Sequence, residues 1–221
     1  MSCCSAKGCD EFFSDHVARR DVARYRSRGL DKNARRLVDF VRRNGIEGRT
    51  VLEVGGGIGA VQLELLRAGA VTAESIELSP AYEPYATELL RDAGLEARVE
   101  RRLLDFAAGA ETVTAADVVV LHRVVCCYPD YEALVGAAAA HAKHQLVLTY
   151  PRRSWWTRLG FAAGNLFERL RRRTFRAYVH SPTAIIAVAR AHGLEPSSTH
   201  RGPVWEFCGL QRTQEPADAS T

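Results

Sequence analysis

The chain has 221 residues, of which 47% are apolar and 25% charged, with a formal net charge of +4. That suffices for one well-buried α/β domain, is short for two, and is too little charge to demand a nucleic-acid partner. No apolar run reaches the roughly eighteen residues of a transmembrane helix. The opening "MSCCSAKGCDEFF" lacks the basic segment and apolar core of a secretory signal, so a cytoplasmic protein with reduced cysteines is expected.

Residues 1–15 read as a loosely ordered arm and 16–29 as a basic helix ended by Gly29. In "DKNARRLVDFVRRNG", Asp31 is placed to cap a helix whose Leu37, Val38 and Val41 share one face, with Gly45 as its stop. A strand, "TVLEV", then runs into "GGGIG", and "AVQLELLRAG" forms a helix. "AESIELS" is a second strand, "AYEPYATELLRDAG" a helix, "RVERRLLDF" a third strand and "ADVVVLHRVV" a strongly apolar fourth. "YEALVGAAAAHA" is a helix and "HQLVLTY" a fifth strand. This alternation implies a parallel sheet with right-handed crossovers, its fourth and fifth strands buried on both faces.

Beyond Tyr150 the rhythm changes. Trp155, Leu159, Ala162, Leu166 and Leu170 recur at steps of three and four, which predicts an amphipathic helix. Ser181 caps a further helix with Pro182 in its first turn. "LEPSSTHRG" and "VWEFCGLQR" are near enough to pair antiparallel, and "TQEPADAST" is a polar tail.

The glycine loop follows a strand and opens a helix, so its amides can face a ligand. Gly55, Gly57 and Ala60 satisfy a dinucleotide pattern, with Glu77 at the end of the second strand. Other features favour a different ligand. Glu53 would crowd a pyrophosphate but suits the ammonium of an amino-acid moiety, and Asp105 and Phe106 at the end of the third strand can accept from and stack on an adenine. The glycines could also serve only as a tight turn.

In "VLEVGGGIG", Glu53, Gly55, Gly57 and Gly59 resemble motif I, E/D-x-G-x-G-x-G, of the class I S-adenosylmethionine-dependent methyltransferases. The resemblance covers roughly residues 30–212 in element order and is most similar in layout to small bacterial O-methyltransferases of the magnesium-protoporphyrin type. It implies a Rossmann-like, three-layer α/β sandwich with a mostly parallel seven-stranded sheet and a C-terminal antiparallel pair. It also implies S-adenosylmethionine as cofactor, held by Glu53, Gly55, Gly56, Gly57, Gly59, Glu77, Leu78, Asp105, Phe106 and His122, with Glu77 on the ribose hydroxyls and Asp105 and Phe106 at the adenine. The expected layout is a single domain: arm and helix 1–29, cofactor core 30–153, substrate-lid insert 154–180, helix and strand pair 181–212, and flexible tail 213–221.

The acceptor is expected to be a small molecule, methylated on oxygen. Ligands of open α/β sheets sit beyond the carboxyl ends of the strands. Arg123 and Thr149-Tyr150 stand at such ends, and the general-base candidates are His122 first, then Tyr128 and His180. The alternatives are a nicotinamide-dependent oxidoreductase and a binding protein without turnover. No metal site is expected. Cys126 and Cys127 read as packing residues, or, with Cys3, Cys4 and Cys9 folded over them, as a thiol site for a soft metal or metalloid. Eight arginines lie between Arg152 and Arg176 with Glu168 the sole acid among them. With Trp155 and Trp156 they suit a lid over a flat or apolar acceptor bearing an anionic group or, through 154–173, peripheral contact with a membrane; core packing of the stripe is the commonest outcome of such a pattern and is compatible with a lid.

Overall fold

The computed structural model describes residues 6–213. Three helices, α1 (Ala6–Phe12), α2 (Asp15–Arg28) and α3 (Lys32–Arg43), precede β1 (Thr50–Val54). There follow α4 (Ala60–Arg67), β2 (Thr72–Glu77), α5 (Glu83–Asp92), β3 (Val99–Leu103), the single turn α6 (Phe106–Gly109), β4 (Ala116–His122), α7 (Tyr131–His141) and β5 (Ala142–Pro151). The chain closes with α8 (Trp155–Leu170), α9 (Pro182–Ala191), β6 (Leu194–Arg201) and β7 (Trp205–Arg212).

The seven strands form one sheet in the order β3-β2-β1-β4-β5-β7-β6. The first five are parallel to one another, whereas β7 runs antiparallel to both β5 and β6. This is the expected three-layer Rossmann-like sandwich. Side chains alternate across each strand, so β4 serves both layers. Val118 and Val120 pack with Leu37 and Val41 of α3 and Leu65 of α4. Val119 and Leu121 pack on the other side with Val135 of α7 and Ile185 of α9. Asp31 caps α3 as expected, accepting from the amides of Asn33 and Ala34. On β7, a Cβ at Gly209 would come within 2.6 Å of the Phe40 ring, so α3 can lie this close only over glycine.

Two expectations are corrected. The supposed loose arm is helical over Ala6–Phe12, with Cys9 buried, Phe12 stacked on Phe175 at 4.2 Å and Phe13 edge-on to the same ring at 5.5 Å. The partner that orders this segment lies far along the chain, so no local periodicity announces it. Cys3, Cys4 and the tail beyond Thr213 lie outside the described residues.

The second correction concerns α8. The helix exists, but its apolar stripe does not pack into the core: Trp155, Leu159, Ala162, Leu166 and Leu170 are all exposed. The inward face is instead Thr157, Phe161, Asn165 and Glu168. Polar contacts hold the helix down. Asn165 exchanges two 2.8 Å hydrogen bonds with the backbone of Ala177, and the Trp156 indole donates to Pro203 O at 3.0 Å. Among the described residues no helix is long and apolar enough to cross a membrane.

Candidate functional site

β1, β2, β3 and β4 all end on one edge of the sheet, and a cavity of about 240 Å³ opens there. Its floor is the glycine loop. Gly55, Gly57 and Gly59 have φ of +65°, +58° and +73°. A Cβ at Gly56 would sit 2.6 Å from Cδ of Glu53, so the loop's close return over β1 needs a bare backbone. The Gly57 peptide is clamped on both sides: its N–H donates to Glu77 Oε2 at 2.8 Å and its carbonyl accepts from Arg101 at 3.1 Å. Arg101 is itself held by Glu83 at 2.7 Å and by Ser75 at 3.2 Å. The structural role of Arg101 was not legible in the sequence, where it is one arginine in a half-buried edge strand.

Two carboxylates are buried at this floor. Glu77 is 7% exposed and accepts also from the amides of Leu78 (2.8 Å) and Ser79 (3.1 Å). Burial raises its pKa, against the lowering effect of these amides and of Arg101. Glu53 is 1% exposed, and the one hydrogen bond to its carboxylate among the described residues is a 3.2 Å contact from the Gln62 amide. Burial therefore pushes it up to about 8, with Gln62 and Arg101 opposing weakly. Beside it the Gln62 side chain is fully buried, and among the described residues neither of its amide atoms has a hydrogen-bond partner.

At the far end of the cavity, Asp105 accepts from the Tyr128 hydroxyl at 3.0 and 3.1 Å, tying the end of β3 to the loop after β4. Tyr128 is thus engaged with Asp105 and does not stand free as a base. Phe106 lines the cavity, but its ring is 2% exposed and meets His141 edge-on at 5.4 Å. The ring belongs to the core rather than offering a stacking face.

His122 ends β4 and lines the cavity. Its Nδ1 is 2.9 Å from Thr149 Oγ1 on β5, and its Nε2 is 3.8 Å from Asp31 Oδ2. Burial lowers its pKa more than Asp31 raises it, so the ring is neutral at pH 7. Burial pushes the Asp31 carboxyl up, but His122, Arg123 and the Ala34 amide outweigh it and hold the group well below the usual carboxylate range. Arg123 pairs with Asp31 at 2.9 Å and lies over the Trp205 ring at 5.0 Å. Its φ of +60° ends β4 three residues before the predicted boundary, turning its amide onto Thr149 Oγ1 at 2.9 Å. Asp31 had a sequence signal, as a helix cap; its place beside His122 did not.

His180 is not at the cavity. Its Nε2 lies 2.9 Å from the carbonyl of Tyr128, and the ring packs between Tyr131 and Tyr178. The 154–180 segment supplies none of the lining residues; α1, α2 and the link between them roof the cavity instead, through Cys9, Phe13, Asp21, Arg24 and Tyr25. Phe175 braces that roof from behind. Cys9 and Cys127 pack in one apolar cluster, and the Cys126 and Cys127 sulfurs are 3.6 Å apart. Among the described residues no group of three histidine, cysteine or acidic side chains is arranged to hold a metal.

Solved structures share this fold. The magnesium protoporphyrin IX methyltransferase of Synechocystis PCC 6803 with bound S-adenosylhomocysteine superposes with a TM-score of 0.69 at 19% identity, covering 92% of this chain and 97% of that one. An O-methyltransferase family protein from Burkholderia thailandensis gives 0.69 at 20% identity, covering 96% of this chain and 65% of that one. An O-methyltransferase family 2 protein from Planctomyces limnophilus DSM 3776, in complex with apigenin, gives 0.65 at 18%, covering 90% and 62%. No curated protein matches the sequence. The sequence model of the methyltransferase domain matches residues 22–199, most of the chain. The chain therefore belongs to that family, as a class I S-adenosylmethionine-dependent methyltransferase.

Proposed function

We propose that this chain methylates a hydroxyl oxygen of a small molecule, with His122 as the general base. The observation that carries this reading is the Thr149–His122–Asp31 arrangement at the cavity wall. In the tautomer whose Nδ1–H donates to Thr149, Nε2 keeps its lone pair. The 3.8 Å to Asp31 is too long for a hydrogen bond, so an incoming hydroxyl can give its proton to Nε2. Asp31 then steadies the imidazolium. A neutral ring in the resting protein is the form this task needs.

The floor of the cavity fits S-adenosylmethionine. A buried, cavity-lining Glu53 that resists ionisation calls for a ligand with a cation, which an amino-acid moiety provides. Glu77, already satisfied by three amides, retains acceptor capacity for ribose hydroxyls. Gly55, Gly56, Gly57, Gly59 and Leu78 bring backbone to the same floor, and Asp105, with the backbone of Phe106, lies at the end suited to the adenine. When bound, the cofactor supplies a methyl group already activated on a sulfonium. The chain's own task is to align the acceptor, exclude water and remove one proton.

The small acceptor is supported by the roof: α1 and α2 leave a confined, largely apolar space. The apigenin complex of a structural neighbour is consistent with an aromatic hydroxyl as acceptor. A cytoplasmic setting completes the reading: Cys126 and Cys208 are free thiols, the state that setting maintains. The test is single-turnover methylation with a panel of phenols, amines and thiols. Transfer confined to amines or thiols overturns the oxygen assignment.

A further inference from the structure

Trp155, Trp156, Leu159, Leu166, Phe167 and Leu170 are 44–74% exposed and all lie on α8, with exposed Val204 beside the Trp156 anchor at Pro203. They form one outward stripe. The helix is turned opposite to the usual amphipathic arrangement, with Thr157 and Glu168 buried beneath it. A contiguous apolar face of this kind marks a binding surface rather than random exposure.

Its electrostatics select the occupant. Arg152, Arg153, Arg158, Arg169, Arg171, Arg172, Arg173 and Arg176 lie on or beside the helix, and the one acid among them, Glu168, is buried and paired with Arg173 at 3.4 Å. Two of the arginines lie against exposed rings, Arg171 over Phe167 at 4.2 Å and Arg152 over Trp156 at 5.5 Å. Exposed indoles and leucines flanked by guanidinium groups match the boundary between headgroups and acyl chains. A second copy of the chain fits poorly, because a twofold contact would set the same arginines against each other.

We infer that the outward face of α8 docks on an anionic lipid bilayer, with the apolar stripe in the interface and the arginines on the headgroups. This surface is separate from the cavity, which α8 does not line. Docking would set an enzyme with a confined pocket at the surface from which a lipophilic acceptor could be drawn.

The test is co-sedimentation of the full chain with vesicles of phosphatidylcholine alone or mixed with phosphatidylglycerol. Binding to the mixed vesicles should be at least roughly tenfold tighter, given several arginines at the surface. It should weaken as salt shortens the Debye length from about 10 Å to about 3 Å. A blue shift of tryptophan emission should accompany it. Leu159→Glu with Leu170→Glu should abolish binding, and Arg158→Gln with Arg171→Gln should remove the preference for the anionic lipid. Calorimetric binding of S-adenosylhomocysteine should survive in both, showing that the fold is intact and separating this outcome from failure of the catalytic reading. Absence of vesicle binding, or equal binding to both lipids, overturns the inference. So does a dimer in ultracentrifugation that the glutamate variant dissociates in a chain indifferent to vesicles.

Discussion

Glu77 Oε2 accepts the amide proton of Gly57 at 2.8 Å, joining the end of β2 to the turn that follows β1. The bond makes one carboxylate responsible for both the shape of the glycine loop and one wall of the cavity. Glu77→Ala should therefore cost on the order of 1.5–3 kcal/mol of S-adenosylhomocysteine binding, the range for hydrogen bonds to charged groups. Calorimetry on the variant checks this. Unchanged affinity in a folded protein would show that Glu77 serves the loop alone.

Gly57 occupies φ of +58°, and a Cβ there would lie 3.4 Å from the Tyr82 ring. Gly57→Val should lose measurable cofactor binding, because a β-branched residue resists that conformation and narrows the floor. Circular dichroism would confirm that the sheet persists, and equilibrium dialysis would read the affinity.

Glu53 sets a pH dependence. Its ordinary value is near 4.5 and its native value about 8, so between these limits the folded state holds a proton that the unfolded state releases. Stability of the ligand-free protein should then fall as pH rises across that window, with a contribution approaching about 1.4 kcal/mol per pH unit from this group. Urea titrations at several pH values should show the slope, and Glu53→Gln should flatten it. A cationic ligand group favours the ionised form, so cofactor binding below pH 8 should release a proton, seen as a buffer-dependent calorimetric enthalpy.

His122→Asn keeps a donor for Thr149 and removes the base. Turnover at neutral pH should drop by roughly 10²–10⁴-fold while S-adenosylhomocysteine affinity stays close to that of the parent. Because the native pKa is lowered, the parent's rate should stay level through neutrality and decline only below pH 6.5. A loss confined to cofactor affinity would instead make His122 a binding residue.

Asp31 combines two duties that substitution can part. Asp31→Ala should cost about 0.5–2 kcal/mol of stability through the lost cap of α3. Asp31→Ser restores a capping oxygen without the charge, so thermal stability should return toward the parent while turnover remains reduced. Recovery of both would confine Asp31 to its capping role.

Much of this protein was determined by its local sequence. The period-two and period-3.6 patterns placed the seven strands and the helices of the core, because burial on one or both faces of regular structure leaves its period in the chain. The glycine loop with Glu53 and Glu77 marked the cavity floor, since only bare backbone with nearby acids makes that turn useful. The apolar stripe of α8 was equally visible. Which way that stripe faces was decided by the tertiary structure, because periodicity fixes a helix's faces but not the surface each one meets. The same holds for the ordering of α1 against Phe175, the engagement of Tyr128 by Asp105, the removal of His180 from the cavity and the joining of Asp31 to His122. Each of these depends on a contact between residues distant in the chain, and sequence spacing alone carries no measure of that distance in space.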